Sequence, residues 1–502
     1  MGTPRGVTVM AGSSEFDRRM LDALGIAGFM PPSLAHWTPL LLDGLWYFLG
    51  ELPQKRRGAI ILGQMRLPAD AAPARRLATL LGACPTLHKL GQVVARHRGL
   101  PAELRVELQA LESLPPASDP HAIRTAIVDQ LPAHGAPAPN VDGGRILAEG
   151  SVAAVLPFDY RDGDVVRHGV FKVLRPGVEE KLAEELAILV PLADLLQQRA
   201  AALGLGAVDF VGIFAHVRLL LARELRLDVE QANMAAAASC HADDPDVVIP
   251  RLLPGCGPRL TVMERVFGCK LPDAPLPPWQ RRRLARKAVS ALVARPFWSA
   301  APTALIHGDP HGGNLLATED GRLAVIDWSL VASLSKSQRE AIVDAALGGM
   351  LLDGARIADA VVRLGGVAPD DPRLGSAVDL ALAELRRGRF PGADWLLALL
   401  DRVTAGAAPA PHQDLLLFRK AWLTIAGVIA DLDAEHAADP VLIGEGIERW
   451  LGEWPARMLA RPDSRLFATH LSNIDLMRGW ADGWLWPLRF YGGLLAPAIR
   501  QS

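Results

Sequence analysis

The sequence contains few cysteines and almost no net charge. Its cysteines are dispersed over 502 residues, at Cys84, Cys240, Cys256 and Cys269, without the spacing of a metal site. Isolated cysteines of this kind are typical of buried thiols in a protein from a reducing compartment. The formal net charge of −2 at pH 7 gives no indication of a nucleic-acid-binding surface, so we expect no nucleic-acid partner.

Long apolar runs are absent as well. No uncharged apolar run reaches the roughly 18 residues that span a bilayer, and Met1–Ser14 lacks the continuous apolar core of a secretion signal. The sequence therefore predicts a cytoplasmic protein whose membrane contact, if it has any, is peripheral. Half of the residues are apolar, and the length allows two or three compact regions around a large core.

Two short apolar runs, each followed by polar residues, predict the chemistry. The first run leads into His307 and Asp309, with Asn314 five residues after Asp309, and the second leads into Asp327. In phosphotransferases of the protein-kinase type, one Asp positions or deprotonates the attacking group, while an Asn and a second Asp hold Mg²⁺. Oxygen ligands suit this hard cation. The spacing predicts a catalytic Asp309 and a magnesium site at Asn314 and Asp327.

A metal centre built from His307, Asp309 and His311 is the competing interpretation of this stretch. It accounts neither for Asp327 nor for an upstream lysine, Lys172. Both of these residues fit the phosphotransfer scheme, which is therefore favoured. His307 is then expected to be a structural residue of the loop that carries Asp309.

The segment Arg145–Leu174 predicts a phosphate-binding part. It has the pattern of a strand, a small-residue turn and a strand, followed by a hairpin turn at Asp162-Gly163 and an apolar strand that carries Lys172. Small residues let backbone amides approach phosphate groups, and a lysine on the following strand can reach them. A buried Lys172 needs a carboxylate partner. The helical segment 210–238 offers Glu224, Asp228 and Glu230.

Three segments outside these motifs have patterns of their own. Trp37–Leu52 has helical spacing, which predicts a helix packed on the body, with a membrane-surface helix as the alternative. Pro120–Pro139, rich in Pro and Ala, is expected to be a linker. Near the C-terminus, aromatic and basic residues suit either a membrane interface or a helix in a hydrophobic groove. They are Trp480, Trp484, Trp486, Phe490 and Tyr491 with Arg478, Arg489 and Arg500.

The segment Lys89-Leu90-Gly91-Gln92 narrows the assignment. Lys89 and Gln92 are three residues apart on one face of a predicted helix, so both can point at one partner. The segment resembles the KxGQ motif of the UbiB/AarF family of atypical kinases, which ordinary kinases lack. The resemblance extends over Arg75–Leu432 and is densest at the KxGQ segment, the strand of Lys172 and the stretch His307–Asn314.

The resemblance implies roles for individual residues. The small-residue loop is similar to the alanine-rich loop of this family, although Gly150 and Ala153 stand where the family usually has Ala and Gly. Glu230 matches the partner of Lys172, and Glu224 matches the partner of Lys89, so the resemblance makes Lys89, Gln92 and Glu224 regulatory. The nucleotide-binding residues it implies are Ala148, Gly150, Ser151, Val152, Ala153 and Lys172, with Met263, Glu264 and Val266 at the hinge beside the adenine.

Two further positions depart from the family pattern. Arg226 replaces an Asp, and Asp228, one turn after Glu224, is expected to substitute for it in part. Trp328-Ser329 follow Asp327 where the family usually has Phe-Gly. The loss of this glycine reduces backbone freedom, which predicts a segment less able to flip.

The fold implied by the resemblance is α+β and bilobal, of the protein-kinase type. A small sheet-containing lobe is expected at 136–270 and a large helical lobe at 271–435, with the KxGQ segment at 75–135 and helical extensions at 1–74 and 436–502. The implied activity is that of an ATP- and Mg²⁺-dependent kinase or ATPase with Asp309, Lys172 and Glu230 as its catalytic residues.

The resemblance also implies the partners. They are a nucleotide and a small-molecule or isoprenoid-like lipid substrate, beside a membrane surface or a biosynthetic partner protein. Two alternatives remain from the sequence. One is a small-molecule phosphotransferase of the aminoglycoside or choline kinase type, and the other is a non-catalytic ATP-binding accessory protein of a biosynthetic complex.

Overall fold

The computed structural model describes residues 32–68, 70–71, 73–95, 118–131, 145–205, 208–365, 367–404, 413–432 and 438–484. These residues form two compact units. The first unit holds the described residues up to Gln231 together with Leu252–Arg265, and the second holds Ala232–Arg251 and those from Val266 onward. Among the described residues, helices dominate both units, and all strands but two have five residues or fewer, which confirms the mixed helix-and-strand class. The five-segment division of the sequence stays a prediction.

The first unit begins with helices and continues with a sheet. Its helices are α1 (Thr38–Glu51), α2 (Gln54–Met65), α3 (Pro73–Ala83), α4 (Pro85–Ala95), α5 (Pro120–Gln130), α6 (Val178–Ala202), α7 (Phe210–Glu224) and the start of α8 (Leu227–Cys240). The strands are β1 (Ala148–Glu149), β2 (Ala153–Asp162) and β3 (Val165–Leu174), and, after β4 (Val247–Val248) of the second unit, β5 (Leu260–Glu264). They form one antiparallel sheet in the order β1-β2-β3-β5.

Helix α1 packs against α6, as the helical spacing of Trp37–Leu52 predicts. Its apolar residues Leu40, Phe48 and Leu49 are buried in the same core as α6. A Cβ atom added to Gly44 would lie 3.1 Å from a methyl group of Leu196, so the two helices approach closely at this glycine. The first interpretation, a helix packed on the body, is confirmed.

The linker predicted at Pro120–Pro139 is wrong for its first half, because α5 occupies Pro120–Gln130. The side chain of Asp119 caps the helix by accepting a hydrogen bond from the backbone N–H of His121 at 3.0 Å, and proline is well suited to the first turn. Ile123 and Ile127, four residues apart, are fully buried against the sheet. This burial stabilises a helix in a segment whose composition suggests a linker. Residues 132–144 lie outside the described part.

The second unit contains small sheets and most of the remaining helices. Its strands, besides β4, are β6 (Gly268–Lys270), β7 (Thr303–His307), β8 (Leu315–Thr318), β9 (Leu323–Val325) and β10 (Val331–Ser335). Its helices are α9 (Pro278–Val289), α10 (Lys336–Met350), α11 (Gly354–Leu364), α12 (Pro372–Arg386), α13 (Ala393–Thr404), α14 (Gln413–Leu432), α15 (Ala438–Leu459) and α16 (Asn473–Gly483). A π-helical turn at Ser290–Ala294 and a short turn at Arg295–Phe297 extend α9.

The strands of the second unit hold the stretch His307–Asp327, for which the sequence predicts phosphotransfer. β7 pairs with β10, with His307 opposite Val331, and β4, β9, β8 and β6 form a second sheet. A Cβ atom added to Gly308 would lie 3.0 Å from the carbonyl oxygen of Leu330, so the turn after β7 favours glycine at this position. The large helical lobe expected at 271–435 also contains β10, which forms because it pairs with β7, more than twenty residues earlier in the sequence.

Among the described residues, no helix is both long enough and apolar enough to cross a membrane.

Candidate functional site

In the first unit, Lys172 pairs with Glu230. Lys172 lies near the end of β3, opposite Val155 on β2 and Thr261 on β5. Its Nζ lies 2.7 Å from Oε1 of Glu230, and the two side chains are 12% and 1% exposed. Glu230 stands in the first turn of α8, where the helix dipole favours a negative charge. The structure thus brings the two predicted residues together; their catalytic role stays a prediction.

Gln231 fixes the start of α8 against the sheet. Its side-chain amide donates to the carbonyl oxygens of Gly257 and Leu260, both at 3.0 Å, and to the hydroxyl of Thr261 at 2.9 Å. Thr261 is also the residue opposite Lys172. Gln231 therefore positions Glu230 toward the lysine, a role that the sequence does not indicate, since its partners follow it by some thirty residues.

The small-residue loop between β1 and β2 is held by Arg175. The Arg175 guanidinium donates to the carbonyl oxygens of Gly150 and Ser151 at 3.3 and 3.4 Å, and it pairs with Glu149 at 3.0 Å. Within the loop, the N–H of Gly150 donates to the carbonyl of Ala153 at 2.8 Å. A Cβ atom added to Gly150 would meet only that carbonyl, at 3.7 Å. The loop therefore accommodates either glycine or alanine at 150.

A second ion pair joins the KxGQ helix to α7 and to this loop. The Lys89 ammonium, on α4, pairs with Oε1 of Glu224 at the end of α7. The other oxygen of Glu224 accepts a hydrogen bond from the Ser151 hydroxyl at 3.0 Å. Glu224 thus ties two of the predicted elements together. The side chain of Gln92 lies outside the described part of the chain.

Arg226 and Asp228 pair with each other on the surface. The Arg226 guanidinium donates to the two carboxylate oxygens of Asp228 at 2.8 and 2.7 Å, and these bonds lower the pKa of Asp228. The side chains are 60% and 37% exposed. The sequence suggests Asp228 as a partial substitute for the family Asp that Arg226 replaces. In the structure, Asp228 pairs with Arg226 itself.

The predicted nucleotide-binding residues fall in different elements. Ala148 lies in β1, Ser151 and Val152 are buried in the loop, and Ala153 begins β2. Met263 and Glu264 end β5, where they pair with Val170 and Gly169 of β3. Val266 belongs to the second unit. These placements leave the predicted contacts with a nucleotide as predictions.

In the second unit, His307 bridges the two polar clusters of the motif. Its Nδ1 accepts the backbone N–H of Asp309 at 3.2 Å, and its Nε2 lies 2.9 Å from the backbone carbonyl of Asp327. A carbonyl only accepts, so the proton resides on Nε2 and the ring is neutral. Burial lowers the pKa of His307 to about 4, although Asp309 and Asp327 oppose this effect. His307 is a structural residue of the loop, as the sequence indicates.

Asn314 completes the cluster. Its side-chain amide donates to the backbone carbonyl of Asp309 at 3.1 Å. The backbone carbonyl of Asn314 accepts a hydrogen bond from the backbone N–H of Ile326 at 2.9 Å. Asp309 and Asn314 are 8% and 9% exposed. The backbone bonds of His307 and Asn314 therefore bring Asp309, Asn314 and Asp327 to one place, as the spacing predicts.

Asp327 has an unusual backbone conformation. Its φ is +61°, a region that Asp tolerates better than most residues. The carboxylate oxygen Oδ1 accepts hydrogen bonds from the N–H and the hydroxyl of Ser329, at 3.1 and 2.6 Å. Trp328 is buried edge-on against His307, with ring centroids 4.7 Å apart. Ser329 thus fixes the Asp327 side chain, while Trp328 packs against His307.

Lys420 is a residue of this site that sequence reasoning missed. It lies on α14, and its Nζ is 3.2 Å from Oδ2 of Asp309. The sequence carries one faint signal, a lysine within the mostly apolar helical segment Leu415–Leu432. Because helical patterns contain many lysines on solvated faces, this signal does not single out the residue.

The donor set of the second unit fits magnesium in the presence of a nucleotide. No three His, Cys, Asp or Glu side chains of the described residues are grouped as a metal site, so the His307, Asp309 and His311 alternative gains no support. Asn314 and Asp327 offer oxygen donors from neighbouring positions. Two protein ligands of this type suit Mg²⁺, which takes its remaining ligands from phosphates and water.

The comparisons with known proteins agree with this geometry. Residues 145–361 match the family model of the ABC1 atypical kinase-like domain. A probable protein kinase UbiB of Pseudomonas putida is 28% identical over 286 residues, which are 55% of this chain and 51% of the relative. The chloroplastic protein ACTIVITY OF BC1 COMPLEX KINASE 1 of Arabidopsis thaliana is 30% identical over 286 residues, 55% of this chain and 39% of the relative.

The extent of these similarities is limited. The chain spans about half the length, or less, of these curated relatives. Among solved structures, the erythromycin complex of a Mycobacterium tuberculosis protein covers 78% of this chain and 87% of its own, with 16% identity and a TM-score of 0.42. The matched domain includes Lys172, Glu230, Asp309, Asn314 and Asp327, whereas Lys89 and Lys420 lie outside it.

Proposed function

Because this chain belongs to the UbiB/AarF family, whose ABC1 atypical kinase-like domain it carries, we propose that it is an ATP- and Mg²⁺-dependent phosphotransferase or ATPase. The proposal includes a bilobal fold of the protein-kinase type. It is carried by one observation above all, the convergence of Asp309, Asn314 and Asp327 around the neutral His307. The pair of Lys172 and Glu230 supports it independently.

Each residue has a role in the proposed reaction. Lys172 binds the α- and β-phosphates of ATP, and Glu230 holds Lys172 in position. Asn314 and Asp327 hold Mg²⁺, which when bound neutralises charge on the phosphates. Asp309 accepts a hydrogen bond from the attacking group, a water or a substrate hydroxyl, and orients its oxygen toward the γ-phosphorus. The neutral His307 keeps the backbone of both aspartates in place.

The substrate is proposed to be a small molecule or an isoprenoid-like lipid. Exposed apolar side chains in the second unit support contact with a lipid surface. Met477 and Trp480 on α16 and Trp484 directly after it recur at helical spacing, and both tryptophans are 73% exposed. Exposed aromatic residues suit the interface between water and lipid. Of the terminal aromatic residues in the sequence, Trp486, Phe490 and Tyr491 lie outside the described part.

ATP turnover by the purified chain tests the proposal. ADP release is measured with and without Mg²⁺, lipid vesicles and isoprenoid phenols. We expect Lys172→Ala and Asp309→Asn to lower turnover by about 10²-fold or more. Two control variants remove exposed ion pairs instead: Arg167→Ala on β3, the strand of Lys172, and Asp320→Asn on the turn after β8. Both are expected to turn over ATP at the rate of the wild type.

Three outcomes contradict the proposal. If neither ATP nor ADP with Mg²⁺ stabilises the protein, it has no nucleotide site. If hydroxylated small molecules of the aminoglycoside or choline type accelerate ADP release while vesicles and isoprenoid phenols do not, the substrate class is wrong. If nucleotide raises the melting temperature without turnover, and does so equally in Asp309→Asn, the chain is a non-catalytic ATP-binding protein.

A further inference from the structure

Lys420 reaches Asp309 from a distant part of the chain. Its Nζ lies 3.2 Å from Oδ2 of Asp309, and the side chains of Lys420 and Asp309 are 20% and 12% exposed. Both residues belong to the second unit. In the proposed function, Asp309 orients the nucleophile, which attacks the γ-phosphorus close to its carboxylate. An ammonium group beside Asp309 is therefore close enough to contact the negatively charged phosphoryl group.

The segment that carries Asp309 brings little positive charge of its own. Between His307 and Trp328 the sequence contains one residue with a permanent positive charge, Arg322. Arg322 pairs with Asp320 at 2.7 Å on the surface. Phosphoryl transfer spreads negative charge over the oxygens of the transferred group, and a positioned cation there accelerates the reaction. Lys420 supplies a cation beside Asp309 that this segment lacks.

We propose that Lys420 is a catalytic residue that binds the transferred γ-phosphoryl group. This inference rests on the proposed phosphotransfer function. As the acceptor oxygen forms its bond to phosphorus, its proton passes to the Asp309 carboxylate. The bond from phosphorus to the β-phosphate oxygen breaks, and its electron pair leaves on ADP. Asp309 becomes neutral in this step, so the ammonium of Lys420 is available to the phosphoryl oxygens when their charge is greatest.

The helix that carries Lys420 is firmly placed in the second unit. Phe418, Ala421 and Trp422 are buried on either side of the lysine. At the start of the helix, the carboxylate of Asp414 accepts the backbone N–H of Ser333 on β10 at 3.1 Å. The backbone of α14 therefore holds Lys420 near the motif while the flexible stem lets its ammonium move from Asp309 to a phosphate.

The neighbouring residue, Arg419, offers a matched control. It lies on the same helix and pairs with Asp401 at 2.7 Å, with both side chains at least 40% exposed. Replacing Arg419 by Met removes one positive charge and one ion pair from α14 without touching Asp309. The same change at Lys420 removes a charge beside the motif. A difference in nucleotide binding or turnover between the two variants therefore comes from the position of Lys420 beside Asp309. It does not come from the loss of one positive charge or from a less stable helix.

The experiment measures the affinities for Mg²⁺-ADP and for a non-hydrolysable Mg²⁺-ATP analogue by calorimetry, together with ATP turnover. In Lys420→Met we expect turnover to fall about 100-fold and the analogue to bind about 10-fold more weakly, while ADP binds as in the wild type. Lys420→Arg is expected to retain part of the analogue affinity because it keeps the charge. Arg419→Met is expected to match the wild type in all three measurements.

A double variant separates direct binding from an effect through Asp309. In an Asp309→Asn background, the carboxylate of Asp309 no longer competes for the Lys420 ammonium. Lys420→Met is therefore expected to weaken binding of the analogue there by at least the same factor as in the wild type. If the weakening disappears there, or if ADP and the analogue are weakened equally, Lys420 does not bind the γ-phosphoryl group. A Lys420→Met variant equal to the wild type overturns this inference alone, whereas a wild type that binds no nucleotide overturns the proposed function with it.

Discussion

The two units hold their predicted site residues by different means. In the first unit, Lys172 and Lys89 pair with Glu230 and Glu224, carboxylates that lie far from them in the sequence. In the second unit, His307, Asn314 and Ser329 hold the aspartates mainly through hydrogen bonds to residues within about twenty positions. Long-range ion pairs make the first site depend on the packing of several elements. The second depends mainly on one local segment, with one long-range ion pair from Lys420.

The largest expected difference follows from removing one carboxylate in each unit. Glu230→Gln leaves the Lys172 ammonium, 12% exposed, without the carboxylate that it pairs with, and loss of one partner of a buried pair costs about 3–5 kcal/mol. Asp309→Asn leaves Lys420, which is 20% exposed and has a flexible stem that can reach water, so we expect a smaller loss of about 1–3 kcal/mol. Hydrogen exchange of peptides from each unit measures both changes.

The companion variant Lys172→Met in the Glu230→Gln background is the control for this comparison. Replacing both members of a buried pair removes the uncompensated charge, so the double variant is expected to recover much of the stability lost by Glu230→Gln. Equal losses for Glu230→Gln and Asp309→Asn would show that the two sites do not differ in the way described.

Acid is expected to weaken the second unit before the first. Burial lowers the pKa of His307 and of His470 to about 4, whereas an unfolded histidine titrates near 6.5. As the pH falls from 6.5 toward 4, the unfolded chain binds protons that the folded unit does not, and stability is lost. In the first unit, burial raises the pKa of Glu185, so acidification through the usual range of that group favours the folded state.

Hydrogen exchange at pH 7 and pH 5 measures this difference. We expect peptides of β7 to β10 to lose about 2 kcal/mol of protection per buried histidine at pH 5, and peptides of α1 and α6 to lose less. His307→Gln is expected to reduce the pH dependence in the second unit. His168→Gln, on an exposed side chain, serves as the control. Faster loss of protection in the first unit would contradict the assignment.

The same division explains how much the sequence predicts. The cluster of Asp309, Asn314 and Asp327 follows from spacing within one segment. The short strands and the turns that connect them restrict the positions that these three side chains can take. The pairing of Glu230 with Lys172, and of Glu224 with Lys89, comes from a family resemblance, since periodicity alone offers three carboxylates without choosing among them. The spacing of nearby residues therefore predicts local geometry, but it does not predict which distant residues pair.

The features that sequence reasoning missed have long-range causes. Helix α5 forms at Pro120–Gln130 because Ile123 and Ile127 are buried against a sheet that begins some twenty residues later. The strand β10 forms because it pairs with β7. Lys420 acquires its significance only from Asp309, which α14 approaches in three dimensions. In each case the residues carry no distinctive local pattern, and a contact with a distant part of the chain determines their structure or their place in the site.

Within the second unit, Ser329→Ala tests whether a local hydrogen bond orients Asp327. The Ser329 hydroxyl donates to Oδ1 of Asp327 at 2.6 Å, and loss of a bond that orients a metal ligand typically lowers metal affinity 10- to 100-fold. We expect the Mg²⁺ concentration needed for half-maximal nucleotide binding to rise about 10-fold, with the fold unchanged. Ser333→Ala on β10 is the control, since its backbone N–H makes the bond to Asp414. An unchanged Mg²⁺ requirement would mean that the backbone alone orients Asp327.

The smallest effect is expected at Arg226, and it separates surface pairs from buried ones within the first unit. Arg226 and Asp228 are both exposed, and an ion pair in water gains little because solvent screens it. Arg226→Ala is therefore expected to leave the melting temperature unchanged, while Lys89→Met lowers it, because the Lys89 and Glu224 side chains are only 10% and 13% exposed. If Arg226→Ala destabilises the unit as much as Lys89→Met, then the charge reversal at 226 is part of the connection between α7 and α8. That outcome would make the first site a network of three ion pairs rather than two.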